Sequence, residues 1–164
     1  PKPSSAASDV YKRQMFDEGV GEMKLRFALF VLSLVIGVGA CGGSMLAFMS
    51  IEPLRKGQSF AGLESSMLQG TPFTTFLIPG VFLLIVLGLG NLLSAIRLWR
   101  NQGYHGELLL GICLVIWIIV QVILLRGGNV LHLIFLVLGL LQLGVAAYCI
   151  KHLQLSVPFS AHQN

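Results

Sequence analysis

The sequence predicts an all-α integral membrane protein, a four-helix bundle with up-down topology, and three observations lead to this fold class. Apolar residues make up 55% of the 164 residues, and charged residues make up only 11%. The mean hydropathy is +0.81, whereas about a quarter of the residues in a soluble domain are charged. Four long apolar runs account for this imbalance, and they cover residues 25–49, 74–98, 107–125 and 130–150.

The length of each run matches a membrane. A helix needs roughly 20 residues to cross about 30 Å of hydrocarbon, and only a helix can satisfy its own backbone there. The runs leave room for a single transmembrane domain over residues 25–151 and for no separate soluble domain. Any function must therefore lie in the bundle or its loops.

The beginning of the chain reads unlike the rest. Residues 4–14, SSAASDVYKRQ, resemble a translated sequencing adapter, so we assign residues 1–14 to an artefact without function. Residues 15–24 form a leader, and Met23 is the expected native start because Lys24 and Arg26 place two cations directly before an apolar helix. Residues 152–164 form a short tail without periodicity.

The distribution of basic residues predicts an orientation in the membrane. Four spans put both termini on one side, which also holds five basic residues outside the adapter: Lys24, Arg26, Arg97, Arg100 and Lys151. The other side holds Arg55, Lys56 and Arg126. This bias predicts cytoplasmic termini. It also explains the net charge of +4 without nucleic-acid binding, because no basic patch with interleaved aromatic residues is present.

The first helix is rich in small residues at a spacing that favours close packing. Gly39 with Gly43, and Ala40 with Ser44, form two small-xxx-small pairs. Such a face can pack against other helices of the same chain or against a second copy in a homodimer. The sequence leaves both alternatives open.

Two connections have recognisable patterns. In the loop over residues 50–73, Phe60, Leu63, Met67 and Leu68 have the spacing of a short amphipathic helix, although an irregular loop is also compatible with them. The turn over residues 126–129, RGGN, is short and predicts an antiparallel hairpin of the third and fourth helices. In the second helix, Pro79 followed by glycine predicts a bend.

Four polar side chains within the spans are the candidate site residues. Asn91 and Gln142 have comparable depths near the inner side, and Gln121 and His132 have similar depths near the outer side. Each pair can be an interhelical hydrogen bond or can line a cavity for a small ligand. No Asp, Glu, Lys or Arg lies in the middle of a predicted span, which argues against ion-coupled transport and proton pumping.

The cysteines show no metal-binding spacing, so we expect neither a metal nor a cofactor. The segment Val38-Gly39-Ala40-Cys41-Gly42 resembles the lipobox of a bacterial lipoprotein, which would make Cys41 a lipidation site. The apolar run continues through Met49, however, and a full-length span favours a transmembrane helix over a cleaved signal.

A second group of neighbouring residues is a weaker candidate for a functional site. His105 lies next to Tyr104 and two residues before Glu107, which could form a metal or acid-base trio. Nothing in the sequence supplies a nucleophile or an apposed carboxylate, so a solvated loop is the expected structure.

Three apolar motifs carry a family resemblance: Gly70-Thr71-Pro72-Phe73, Phe76-Leu77-Ile78-Pro79-Gly80 and Gly88-Leu89-Gly90-Asn91-Leu92. With the glycine-rich first helix they resemble small uncharacterised four-helix bacterial inner-membrane proteins, and in size and layout the chain is loosely similar to the DoxX-like group. The resemblance implies a membrane bundle and transfers no catalytic residue.

These observations support two hypotheses of function. The first is a non-enzymatic accessory, interaction or homo-oligomeric membrane component, whose partners are the lipid bilayer and another membrane protein or a second copy. The alternative is a carrier or binder of a small apolar or weakly polar molecule, and an intramembrane enzyme comes third. Convergence of the four polar side chains on an open pocket would favour the binder, and packing in closed pairs would favour a structural role.

Overall fold

The computed structural model describes residues 5–125, 128 and 130–152, and for residues 5–18 it describes the backbone alone. Four long helices occupy most of this part of the chain: α1 is Ser5–Arg55, α2 is Leu77–Trp99, α3 is His105–Leu124 and α4 is Val130–His152. No strand occurs among these residues. Each helix, α1 from Gly19 onward, is long and apolar enough to cross a membrane. The prediction of an all-α chain with four such helices is therefore confirmed.

Some predicted segments fall outside this description. They are residues 1–4 of the adapter-like segment, residues 126, 127 and 129 of the predicted turn, and residues 153–164 of the tail. The remainder of the adapter-like segment, residues 5–14, forms the beginning of α1.

The predicted end of the first helix at residue 49 was wrong, because α1 continues to Arg55. Glu52 pairs with Arg55 at 2.9 Å and with Lys56 at 3.4 Å, so the charges assigned to the loop lie three and four residues apart along a helical turn. Gly57 then has a φ of +74°. Glycine adopts this left-handed conformation without the steric cost of a side chain, and it ends the helix.

Helix α2 begins at Leu77, which places Pro79 in its first turn. Proline is tolerated there because the amides of the first turn have no intrahelical partner. The irregularity of α2 lies further along, at Leu83–Leu89, where the backbone widens into a π-helical segment.

The connection between α1 and α2 is mostly irregular, and its one regular element is a 3₁₀ turn at Ser65–Leu68. The amphipathic helix considered for this loop is therefore absent from it beyond that single turn. Phe60 and Leu63 exchange two backbone hydrogen bonds of 3.0 and 2.8 Å around a tight turn. Ala61 and Gly62 form that turn with φ values of 50° and 79°.

The buried face of α1 is a stripe of mostly small residues spaced by three or four: Leu29, Ser33, Ile36, Ala40, Ser44, Ala47 and Ser50. Ser44 and Ser50 donate to carbonyls three residues earlier, at 2.7 Å in both cases, which allows their hydroxyls to be buried. A Cβ added at Gly37 would lie 3.0 Å from Leu92 Cδ2 and 3.2 Å from the Gly88 carbonyl oxygen. The small residues thus let α2 approach α1 within one chain.

Helices α3 and α4 pack even more closely. A Cβ added at Gly111 would lie 2.9 Å from the backbone nitrogen of Leu143, and one added at Gly139 would lie 3.1 Å from Leu114. Residues of all four helices form two apolar clusters. One contains Leu29, Leu98, Tyr104, Ala146 and Cys149, and the other contains Ile36, Ala40, Leu87, Leu114 and Ile118.

Candidate functional site

Three buried polar side chains from three helices meet between the two apolar clusters, and we call them the inner triad: Ser33, Asn91 and Gln142. The Gln142 amide donates to Asn91 Oδ1 at 2.8 Å and to Ser33 Oγ at 3.2 Å. All three residues are completely buried. The structure therefore brings the predicted pair Asn91 and Gln142 into direct contact and adds Ser33, which depth alone did not connect with them.

The inner triad is nearly saturated with hydrogen bonds. Asn91 Nδ2 donates to the Leu87 carbonyl at 2.8 Å, so part of the network closes onto the widened segment of α2. Gln142 Oε1 is the one amide oxygen of the triad with no partner among the described residues. No charge is involved, and the arrangement joins α1, α2 and α4. Its geometry is that of interhelical packing rather than of an open ligand site.

The other predicted pair, Gln121 and His132, lies on the wall of a cavity of about 490 Å³, which we call the outer cavity. Residues of all four helices and of the connection between α1 and α2 line it. They include Gly43 and Ala47 of α1, Pro79, Leu83 and Leu87 of α2, Trp117 and Ile118 of α3, Phe135 of α4, and Leu63 and Met67 of the connection. Its volume lies within the roughly 300–1,000 Å³ of small-molecule sites.

The wall of the outer cavity is predominantly apolar. Gln121 and His132 are half-buried, and they supply an amide and an imidazole beside aromatic and aliphatic side chains. The indole of Trp117 stacks on Phe82 with ring centroids 4.1 Å apart, which holds this part of the wall. Such a surface can solvate an apolar body and can hydrogen-bond a single polar group.

At the end of the molecule opposite the outer cavity, the prediction of a solvated loop was wrong. Tyr104 and Glu107 were expected in a solvated loop, but they are only 2% and 1% exposed, while His105 is exposed. Arg26 Nη2 donates to the Tyr104 hydroxyl at 3.0 Å, and that hydroxyl donates to Glu22 Oε1 at 3.4 Å. Burial raises the pKa of Tyr104, although the hydrogen bond from Arg26 acts in the opposite direction.

The sequence does not mark Glu107 for burial, because α3 is also apolar on the faces that the structure leaves exposed, for example at Ile112 and Ile116. The buried residues of α3 are Glu107, Gly111, Leu114 and Ile118, which follow one another at intervals of four, three and four. Glu107 thus continues the inward face of the helix by one turn. Its charge, rather than its position, led to the wrong expectation.

The carboxyl group of Glu107 is held at one oxygen only. Ser94 Oγ on α2 donates to Glu107 Oε1 at 2.5 Å, and a Cβ added at Gly106 would lie 2.8 Å from the same Ser94 oxygen. Oε2 has no hydrogen-bond partner among the described residues. A buried carboxylate without a partner costs roughly several kcal/mol. The helix dipole at the first turn of α3 offsets only about 0.3–1 kcal/mol of that cost.

The cysteines do not form a site together. Cys41 lies within the continuous helix α1, and a Cβ added at Gly88 would be 2.7 Å from its sulfur, so the thiol packs against α2. Cys113 is half-buried and Cys149 is buried. Across the described ranges, no group of three His, Cys, Asp or Glu side chains could hold a metal ion.

Comparisons with protein-family models, with curated proteins and with solved structures found no match for this chain.

Proposed function

We propose that this protein spans a bacterial inner membrane four times and binds a small apolar molecule with one polar group in the outer cavity. The observation that carries the proposal is the outer cavity itself, where Gln121 and His132 lie on an otherwise apolar wall. The inner triad has a structural role in this proposal, because its members bond one another.

The surface of the helices supports membrane insertion. Large apolar side chains are exposed along all four helices, for example Val35 on α1, Ile85 on α2, Ile116 on α3 and Leu140 on α4, each at least half exposed. A soluble monomer rarely exposes contiguous apolar surface of this extent. Lipid would cover these side chains.

The contacts between helices support up-down topology. Along α1 and α2, Gly37 lies against Leu92 while Phe48 lies against Gly80, so sequence numbers rise on one helix and fall on the other. Along α3 and α4, Gly111 lies against Leu143 and Gly139 against Leu114, which has the same antiparallel sense. With both termini in the cytoplasm, the outer cavity would open near the outer face.

Cysteine labelling tests insertion and orientation together. In a variant whose three native cysteines are alanine, Gln58→Cys in the connection after α1 should react with a membrane-impermeant maleimide on intact spheroplasts. Gln102→Cys in the connection after α2 should react only after lysis, because both glutamines are exposed but lie on opposite sides of the membrane. The reverse pattern would contradict the orientation, and labelling of both sites before lysis would contradict insertion.

The two neighbouring glycines of α1 offer a matched test of ligand binding. Gly43 lines the outer cavity, where an added Cβ would make ordinary contact with Leu83 at 3.8 Å. Gly42 is exposed, and an added Cβ there would meet nothing within 4 Å. A leucine at position 43 should therefore fill the cavity, whereas a leucine at position 42 should point away from it.

Tryptophan fluorescence can report occupancy of the cavity. In a Trp99→Phe background, Trp117 is the remaining tryptophan of the two in the chain. The nitroxide TEMPO, an apolar ring with one acceptor oxygen, should quench Trp117 saturably in detergent micelles. Gly43→Leu should weaken this saturable binding at least about tenfold, which corresponds to ~1.4 kcal/mol, and Gly42→Leu should leave it unchanged.

Two results would contradict the binding proposal. One is quenching that rises linearly with TEMPO concentration in the background protein, as expected for simple partition into micelles. The other is saturable quenching that Gly43→Leu and Gly42→Leu affect equally. The Trp117→Phe variant, which retains the exposed Trp99, supplies the reference for quenching by partition alone.

The accessory or homo-oligomeric role has less support. Its expected interface was the small-residue face of α1, but Ala40 and Ser44 are buried within the chain. A Cβ added at Gly39 would lie 2.8 Å from Phe135 of α4. These contacts use Gly39, Ala40 and Ser44 within the monomer, and Gly43 lines the outer cavity.

A further inference from the structure

We propose that Glu107 is a proton-binding site whose carboxyl group is protonated at neutral pH. The site consists of Glu107 on α3 and Ser94 on α2, at the end of the helices away from the outer cavity. It is independent of ligand binding in that cavity.

The geometry of the two carboxyl oxygens supports a neutral acid. Oε1 accepts the hydrogen bond of Ser94 Oγ at 2.5 Å, within the ordinary range of O–H···O hydrogen bonds. Oε2 is inaccessible and has no partner among the described residues. A carboxylate would leave part of the negative charge on Oε2 without a donor. A proton on the carboxyl group removes that charge, and the unpaired atom that remains is neutral, which costs less than an unpaired buried charge.

No cation forms an ion pair with Glu107 within 4.0 Å among the described residues. The ionisable groups that act on Glu107 from the surrounding elements are Arg97 on α2, His105 on α3 and Cys149 on α4. In the described part of the chain, the ion pairs within 4.0 Å join Arg26 to Glu22 and both Arg55 and Lys56 to Glu52. Glu107 takes part in none of them.

The glycine at position 106 allows the close contact between Ser94 and Glu107. A Cβ at that position would lie 2.8 Å from Ser94 Oγ, so the absence of a side chain lets the hydroxyl reach the carboxyl group. A buried ionisable group within a membrane helix is costly and usually functional. A protonated glutamate lowers this cost, because the buried group then carries no charge.

Infrared difference spectroscopy at pH 7 tests the proposal, with a second glutamate as the matched control. Glu107→Gln preserves shape and neutrality, so the wild-type minus variant spectrum should contain the carbonyl stretch of a protonated carboxylic acid. Glu64 also has a serine donor, because Ser66 Oγ donates to Glu64 Oε2 at 2.9 Å, but it is exposed. The Glu64→Gln difference spectrum should contain carboxylate bands only.

Carboxylate bands in the Glu107→Gln difference spectrum, with no acid carbonyl band, would overturn the proposal. A second variant covers the case in which Glu107→Gln fails to fold. Ser94→Ala keeps Glu107 and removes its hydrogen-bond donor, so the acid carbonyl band should shift to higher frequency. A shift confined to carboxylate bands in Ser94→Ala would likewise overturn the proposal.

Discussion

Replacing Gly111 by alanine should destabilise the protein by about 1–3 kcal/mol, the usual cost of overpacking a filled interior. The added Cβ would lie 2.9 Å from the backbone nitrogen and 3.1 Å from the Cα of Leu143. These are backbone atoms of α4, which cannot rotate away as the end of a flexible side chain can. The two helices must separate, and the other contacts between them weaken.

The matched control for Gly111 is Gly144 on the partner helix. It is exposed, and an added Cβ would meet nothing within 4 Å. Gly144→Ala should leave stability unchanged or raise it by up to about 1 kcal/mol, because alanine is the better helix former. The measurement is the free energy of unfolding in mixed micelles titrated with sodium dodecyl sulfate and followed by circular dichroism. Equal effects of the two substitutions would show that α3 and α4 are not in backbone contact at Gly111.

Replacing Gln142 by leucine should cost about 1–3 kcal/mol, because it removes the donor that both Asn91 Oδ1 and Ser33 Oγ use. Asn91→Leu should also destabilise the protein, since it leaves the Gln142 amide and the Leu87 carbonyl with one partner fewer. The double variant should lose less than the sum of the two. The expected coupling is about 0.6 kcal/mol, the average for hydrogen bonds between membrane helices, and at most about 1.7 kcal/mol.

A double-mutant cycle in the same mixed micelles measures this coupling. Gln58→Leu, in the exposed connection after α1, combined with Gln142→Leu provides a pair without contact, and its effects should add. Strictly additive losses for Asn91 and Gln142 would contradict the hydrogen bond between them.

The polar residues show how much of the candidate site the sequence predicts. Asn91, Gln121, His132 and Gln142 stand out because amides and imidazoles are rare in apolar helices, and their depths follow from counting residues. Depth does not give rotation about the helix axis, however. Only packing decides that Asn91 and Gln142 face each other while Gln121 and His132 face a cavity.

Glu107 and Ser33 are buried polar residues that the sequence did not single out for burial. A glutamate near the end of an apolar run is normally solvated, and a serine in a glycine-rich helix normally only allows close packing. The burial of Glu107 depends on Ser94, which lies 13 residues away along the chain. The burial of Ser33 depends on Gln142, which lies 109 residues away. No local pattern contains such separations.

The amino-acid sequence by itself determined that four segments are apolar helices long enough to cross a membrane, because hydropathy is a sum over neighbouring residues. The tertiary structure alone decided the partners of the inner triad, the burial of Glu107 and the walls of the outer cavity. These features depend on distances between helices, and those distances are set by how side chains of remote segments fit together.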